Sequence, residues 1–129
     1  WLGELLAGRT PTLHGDGETS RDFCYVANVV QANLRAALAP EASGVVNVAV
    51  GEQTTLRELY ALLVAGLEAE GHTGLPPAPT AAPFRPGDVR HSLADVSRSR
   101  DLLGYAPTHS AREGLRETVA WFAAAHAAA

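Results

Sequence analysis

The segment from residue 71 to residue 87 constrains the fold more than any other part of the sequence. It holds five of the chain's eight prolines together with three glycines. Proline lacks the backbone N–H that helices and central strands need. We therefore predict a loop with at most short strands there, and regular structure before and after it. Those flanking segments mix helical and extended patterns, so we expect an α/β fold that is richer in helix than in strand.

Two capping boxes predict where the main helices begin. Thr55 and Glu58 are three residues apart, a spacing at which each side chain bonds the other residue's backbone N–H. The helix that starts there is expected to run to about Glu70, with Leu59, Leu62, Leu63 and Leu67 on one face. Ser110 and Glu113 predict the closing helix in the same way, followed by an alanine-rich tail that should fray.

Three shorter or less strongly marked helices are also predicted. Residues 1–8 form a short helix that stops at Gly8. Asp95 is placed to cap a short helix that ends at Gly104. Between residues 26 and 38 apolar residues recur at helical spacing, so we expect a helix with one apolar face.

Extended structure is predicted in three places. Residues 11–14 form a short extended segment, and residues 22–26 are rich in the aromatic and β-branched residues that favour strands. Residues 45–50 are the clearest strand, and their apolar content is typical of a parallel strand covered on both faces. The glycines of residues 15–17 predict a hairpin turn with positive φ angles.

The charge balance and the single cysteine exclude several classes of function. All ten basic residues are arginine, none is lysine, and fourteen acidic residues give a net charge of −4. This lacks the basic footprint of a nucleic-acid or polybasic membrane binder. No run reaches the ~18–20 apolar residues that a membrane span needs. Cys24 is the single cysteine and cannot form an intrachain disulfide, so we expect a cytoplasmic protein. From the charge and the lack of a long apolar run we expect no nucleic-acid or membrane partner.

Three kinds of site are not supported by the residue spacing. The five histidines, at positions 14, 72, 91, 109 and 126, lack metal-ligand spacing, so no metal site is predicted. The serines include no Gly-x-Ser-x-Gly nucleophile elbow. The turn at residues 15–17 lacks the third glycine of a dinucleotide fingerprint, and acidic residues stand where a pyrophosphate would lie.

Arginine offers the more informative candidates. Arg85 lies between Phe84 and Pro86-Gly87-Asp88, where proline and glycine restrict the backbone and could hold a guanidinium for bidentate phosphate recognition. Arg21 follows the glycine turn of residues 15–17, and Arg90 closes the loop that carries Arg85. Spacing alone does not separate these roles from ordinary solvated surface charges.

Two separated blocks resemble the sugar-nucleotide epimerases of the extended short-chain dehydrogenase/reductase family. The first resembles the segment that opens the substrate half of those enzymes: Gly15-Asp16-Gly17-Glu18-Thr19-Ser20-Arg21-Asp22-Phe23-Cys24-Tyr25-Val26. The second resembles their uridine-diphosphate clamp: Phe84-Arg85-Pro86-Gly87-Asp88-Val89-Arg90-His91-Ser92-Leu93-Ala94-Asp95. The resemblance covers essentially the whole chain and is greatest to the UDP-N-acetylhexosamine 4-epimerases of bacterial surface-polysaccharide synthesis.

The resemblance implies substrate-binding roles for four residues. Arg21 is expected to contact the sugar-nucleotide pyrophosphate, and Arg85 to clamp the phosphates from the other side. Asp88 is expected to accept hydrogen bonds from the ribose hydroxyls. Ser92 would face the sugar, where a small residue leaves room for a 2-acetamido group. Asn28 stands where the family has aspartate, and a capping role is expected to remain.

The resemblance also implies that the family's catalytic parts lie elsewhere. The family binds NAD at a glycine-rich βα turn and uses a Tyr-x-x-x-Lys pair, both in its N-terminal half. This chain has no lysine and begins with Trp1 rather than Met. We therefore expect residues 1–129 to be the C-terminal, UDP-sugar-binding lobe of a longer, homo-oligomeric NAD-dependent 4-epimerase, with the Rossmann half missing. The lobe itself is expected to hold no catalytic residue, cofactor or metal and to be inactive alone.

Two alternatives remain open. The parent could be a related sugar-nucleotide enzyme, a 4,6-dehydratase or a decarboxylase, which shares the diphosphate clamp and differs in catalytic residues outside this chain. The chain could instead be a non-catalytic module that binds a nucleotide sugar or a protein. Ser92 and the residues of the two blocks favour the 4-epimerase.

Overall fold

The computed structural model describes residues 1–127 and is helix-rich with a few short strands. The elements in chain order are α1 (Leu2–Leu6), β1 (Thr12–His14), β2 (Ser20–Arg21), α2 (Val26–Ala37), β3 (Thr54–Thr55), α3 (Leu56–Ala69), β4 (Thr80–Ala82), α4 (Ser97–Leu103) and α5 (Ala111–Ala127). The predicted fold class and the loop character of residues 71–87 are confirmed. Residues 128 and 129, the end of the alanine-rich tail, lie outside the described residues. None of the described helices is long and apolar enough to cross a membrane.

Both capping boxes form as predicted. The Glu58 N–H donates to Thr55 Oγ1 at 3.1 Å, and the Thr55 N–H donates to Glu58 Oε2 at 2.8 Å. Ser110 and Glu113 repeat the pattern at 3.3 and 2.8 Å. Because these backbone N–H groups donate to the carboxylates, the pKa values of Glu58 and Glu113 fall below their usual range.

The other predicted helices also form. The Ser97 N–H donates to Asp95 Oδ1 at 2.9 Å at the start of α4. Gly104 ends that helix in the left-handed conformation, with φ +60°. The main core lies where α3 packs against α5 and α1, and its buried side chains are Leu5, Tyr60, Leu63, Leu67 and Val119. Capping and apolar periodicity therefore located the helices correctly.

The strands pair across the chain rather than with their sequence neighbours. β1 runs parallel to β4, with Thr12 opposite Thr80, and β2 runs antiparallel to β3, with Ser20 opposite Thr55. The predicted hairpin at residues 15–17 is therefore wrong, although Gly15 has the expected positive φ of +89°. The glycine turn instead connects two separate two-stranded sheets.

The strand predicted at residues 45–50 does not form in the described part of the chain, and residues 22–25 provide an extended entry to α2 rather than a paired strand. They continue β2 without a ladder, because pairing stops at Arg21. Residues 45–50 are irregular, and Val45 is 85% exposed. A strand needs a partner for its backbone groups, and here those groups find side chains. The N–H groups of Val50 and Gly51 donate to the Asp22 carboxylate at 3.0 and 2.9 Å.

Helix α2 forms with nearly the predicted bounds, but its apolar stripe faces solvent. Leu34 is 61% exposed on this face. We call the exposed surface the α2 face, and it comprises Val26, Val29, Val30, Leu34 and Leu38. The opposite side of the helix contributes Asn28 and Ala32 to the interior. An exposed apolar surface of this kind marks a place where another surface packs.

Tyr105 anchors the irregular segment of residues 45–50, and its burial should make the fold less stable at alkaline pH. Its side chain is 1% exposed, and its hydroxyl donates to the Ala49 carbonyl at 2.8 Å. Burial, with Cys24 and Asp22 nearby, raises the pKa of Tyr105 from 10.0 to about 12. The unfolded chain thus loses this proton before the folded chain does. Stability should fall as pH rises from about 10 to about 12.

Urea unfolding across that pH range measures this effect. Tyr25 and Tyr60 also have raised pKa values and add to the slope in every variant. The comparison of the native chain with Tyr105→Phe therefore isolates Tyr105. We expect a shallower alkaline slope in the phenylalanine variant, and parallel slopes would contradict the assignment.

Candidate functional site

A cleft of about 230 Å³ brings together three of the four residues predicted from sequence to bind substrate. Arg21 comes from β2, whereas Arg85 and Asp88 come from the loop after β4. The cleft is lined by Trp1, Thr12, His14, Thr19, Arg21, Leu56, Arg85 and Asp88. The long stretch of chain between the two arginines folds so that both reach one opening.

The guanidinium of Arg21 is held by backbone carbonyl groups at the edge of β2. Its Nη1 donates to the Ser20 oxygen at 2.8 Å and to the Arg90 oxygen at 3.4 Å. Among the described residues its Nε and Nη2 groups make no hydrogen bond. Arg21 is thus fixed on one side and retains donors for an anion in the cleft.

Arg85 and Asp88 lie on an exposed turn that lines the same cleft as Arg21. The Asp88 N–H donates to the Arg85 carbonyl at 3.3 Å and closes this turn. Within residues 1–127 neither side chain makes a hydrogen bond or an ion pair. A guanidinium and a carboxylate are therefore both presented to the cleft with their bonding capacity unused.

Ser92 lies beside this site but does not line the cleft. The Ser20 N–H donates to the Arg90 carbonyl at 2.9 Å, and the Ser92 N–H donates to the Ser20 carbonyl at 3.2 Å. Ser20 Oγ and His91 Nδ1 lie 2.9 Å apart, within hydrogen-bonding distance. These contacts hold residues 90–92 along β2, so the exposed Ser92 is next to the strand that carries Arg21.

Sequence reasoning missed two residues whose rings line the cleft, Trp1 and His14. Trp1 Nε1 donates to the Thr12 carbonyl at 2.9 Å, and His14 Nδ1 lies 3.1 Å from the Pro83 carbonyl. The spacing of the histidines in the sequence tests His14 only as a metal ligand and assigns it no other role. Alternation along β1 was the available signal, because side chains two residues apart share a face and Leu13 is buried on the other face.

The glycine turn does not fit a dinucleotide. Two carboxylates lie at this turn, and both form ion pairs. Asp16 pairs with Arg90, and Glu18, just after the turn, pairs with Arg57. The turn leads into β2 rather than into the helix N-terminus that such a pyrophosphate site requires. Among the described residues, no group of three or more histidine, cysteine, aspartate or glutamate side chains could hold a metal ion.

The capping role expected for Asn28 is wrong, because its side chain bonds a distant loop instead of its own helix. Asn28 is 0% exposed. Its Oδ1 accepts from the N–H groups of Thr108 and His109 at 2.8 and 3.1 Å. Its Nδ2 donates to the His109 carbonyl at 2.8 Å. Asn28 therefore ties α2 to the loop that leads into α5.

Comparisons with known proteins agree on one group of enzymes. The family model described as GDP-mannose 4,6 dehydratase matches residues 2–118. A UDP-glucose 4-epimerase from Mycolicibacterium smegmatis is 38% identical over 118 residues, which cover 92% of this chain and 36% of that protein.

Solved structures give the same result. The chain superposes with a TM-score of 0.83 and 37% identity on a UDP-N-acetylglucosamine 4-epimerase from Methanobrevibacter ruminantium in complex with UDP-N-acetylmuramic acid. The match covers 96% of this chain and 38% of that one. MoeE5 in complex with UDP-glucose and NAD gives a TM-score of 0.82 at 31% identity, over 96% of this chain and 40% of that one. The chain thus spans well under half the length of these proteins.

Proposed function

The chain belongs to the sugar-nucleotide epimerase/dehydratase family whose model matches residues 2–118, and on that basis we propose that its cleft binds the uridine diphosphate part of a UDP-sugar. The observation that carries the proposal is the convergence of Arg21, Arg85 and Asp88 on one opening. Two arginines that line one cleft suit a diphosphate, because guanidinium groups form charge-assisted hydrogen bonds with phosphate oxygens.

The rest of the cleft suits a nucleoside. A carboxylate such as Asp88 accepts hydrogen bonds from both hydroxyls of a ribose. The rings of Trp1 and His14 supply flat surface against which a base can lie. The similar solved proteins described above were determined with UDP-linked ligands, which supports UDP as the nucleotide.

Calorimetric titration of the chain with UDP tests the proposal. We expect saturable binding that weakens as salt is added, because charge pairs in an open cleft are screened. Uridine, which lacks the phosphates, should bind much more weakly. Equal binding of UDP and uridine, or no binding of UDP, would rule out the diphosphate site.

We further propose that residues 1–129 act as the substrate lobe of an NAD-dependent UDP-glucose or UDP-N-acetylglucosamine 4-epimerase. In this proposal the dinucleotide-binding half supplies NAD and the acid–base residues, while this chain holds the nucleotide. A cytoplasmic enzyme of bacterial surface-polysaccharide synthesis is the setting that the resemblance implies. A 4,6-dehydratase remains the second candidate, because the matching family model carries that description.

The exposed α2 face supports the proposal that another half of the protein packs against this lobe, and it gives a direct prediction. In the longer protein we propose that the dinucleotide-binding half covers this face. For the 129-residue chain alone, the face should pair with a second copy, because burial of apolar surface favours association. Light scattering at micromolar concentration should show self-association. Leu34→Glu should shift the chain toward monomer, whereas Gln53→Glu, which adds the same charge at an exposed position outside the α2 face, should not. A monomeric native chain would contradict this use of the face.

The position of Ser92 predicts a role in sugar selection. Because Ser92 is exposed beside β2 and outside the cleft, we propose that it faces the sugar rather than the diphosphate. In the longer protein, where we propose that the dinucleotide-binding half completes a sugar pocket, Ser92→Tyr should reduce affinity for UDP-N-acetylglucosamine relative to UDP-glucose by about tenfold. Filling a rigid pocket costs ~1–3 kcal/mol. Competition titrations measure the ratio, with Ser92→Ala as the control that leaves room for the acetamido group. An unchanged ratio in Ser92→Tyr would show that this position does not select the sugar.

A further inference from the structure

Three side chains outside the cleft connect the glycine turn to the loop that carries Arg85 and Asp88. Arg90 Nη2 donates to Asp16 Oδ2 at 2.5 Å. The Arg90 guanidinium also lies over the Phe84 ring, 5.4 Å from its centroid. Phe84 and Arg90 are the two ends of the loop segment that presents the nucleotide-binding pair. We call Asp16, Phe84 and Arg90 the loop clamp.

The fit between Phe84 and the turn depends on glycine. A Cβ atom placed on Gly15 would lie 2.4 Å from Phe84 Cε1, which is closer than such atoms approach. The ring therefore rests directly on the backbone of the turn. The positive φ of +89° also favours glycine at this position.

The turn itself is fixed from its other side by α3. Arg57 Nη2 donates to the Asp16 carbonyl at 2.7 Å, and Arg57 Nε donates to Glu18 Oε1 at 3.1 Å. The hydrogen bond from Arg90, and after it the Glu18 N–H that donates to Asp16 Oδ1 at 3.0 Å, lower the pKa of Asp16. The turn thus holds one oxygen of the Asp16 carboxylate, and Arg90 bonds the other.

On the basis of the proposed nucleotide site, we propose that the loop clamp holds Arg85 and Asp88 at the cleft that Arg21 also lines. Asp16 and Arg90 are then positioning residues for UDP binding. Neither residue lines the cleft. The loop between Phe84 and Arg90 is exposed and its functional side chains have no other partners in the described residues. Without the clamp, binding would have to order this loop, and the entropy of ordering lowers affinity.

The clamp and simple charge repulsion predict opposite changes in UDP affinity when the Asp16 carboxylate is removed. Removing a carboxylate near a binding site for a diphosphate should tighten binding if charge alone matters. Removing a carboxylate that holds the binding loop should weaken it. Glu18 is the matched control, because it carries the same charge on the same turn but pairs with Arg57 and not with the loop.

The experiment compares UDP binding by the native chain, Asp16→Ala, Arg90→Ala, the double variant and Glu18→Ala. We expect Asp16→Ala and Arg90→Ala each to weaken binding about fivefold to tenfold, and the double variant to be no worse than either. Such non-additivity is expected of residues that act as a unit. Glu18→Ala should bind as the native chain does. Thermal midpoints should differ little, since exposed ion pairs contribute little to stability.

Amide hydrogen exchange of residues 84–90 without ligand supplies an independent measurement. Exchange should be faster in Asp16→Ala and unchanged in Glu18→Ala. If the native chain binds UDP and Asp16→Ala binds it equally well or more tightly, the clamp is overturned and the proposed function is not. Failure of the native chain to bind UDP would overturn the proposed function and the clamp's role in binding. Equal exchange in both variants would refute the clamp whatever binds in the cleft.

Discussion

We expect Arg85→Ala to weaken UDP binding by about 1.5–3 kcal/mol, because a charge-assisted hydrogen bond to phosphate is lost. Arg85 has no other hydrogen bond or ion pair in the described residues, so its removal should cost affinity rather than stability. The dissociation constant from calorimetry measures the first effect and urea unfolding the second.

Arg116→Ala is the matched control for this prediction. Arg116 lies exposed on α5, and its removal makes the same change in net charge away from the cleft. It should leave UDP affinity nearly unchanged. If both variants lose the same affinity, long-range charge explains the effect and Arg85 does not contact the phosphates.

The second large effect is expected at Asn28, whose replacement by alanine should lower the free energy of unfolding by about 2–4 kcal/mol. The variant would leave the N–H groups of Thr108 and His109 and the His109 carbonyl without their present partner. Buried polar groups without hydrogen bonds cost about 1–3 kcal/mol each, partly relieved by water and relaxation. Urea unfolding measures the loss.

Asn33→Ala in the same helix is the comparison for Asn28→Ala. Asn33 is exposed, so the same chemical change there should alter stability by roughly ±0.5 kcal/mol or less. Alanine favours a helix more than asparagine does, so helix propensity alone would not lower stability in either variant. Similar losses in the two variants would therefore show that the contacts of Asn28 are not the cause of the change.

The candidate site was partly predictable from sequence. The two blocks that contain Arg21 and Arg85 identified three residues that the structure places in one cleft. Trp1 was missed because a single aromatic residue carries no sequence signal of what it faces. His14 was missed because alternation along β1 shows which face it shares but not what that face borders. The pairing of Asp16 with Arg90 was missed for a related reason, since nothing local in sequence connects a turn to a loop so far along the chain.

The amino-acid sequence by itself determined the helices, their caps and the irregular 71–87 segment. A capping box such as Thr55 with Glu58 closes within one helical turn, and proline restricts its own backbone, so both effects act without distant partners. Tertiary structure decided which extended segments became paired strands, and residues 12–14, expected to be extended, pair with β4. Residues 45–50 have strand-like composition, yet their backbone bonds the side chains of Asp22 and Tyr105, because none of the strands in the described part of the chain lies beside them. A strand depends on a neighbour whose position the local sequence does not encode, whereas a helix satisfies most of its own backbone hydrogen bonds.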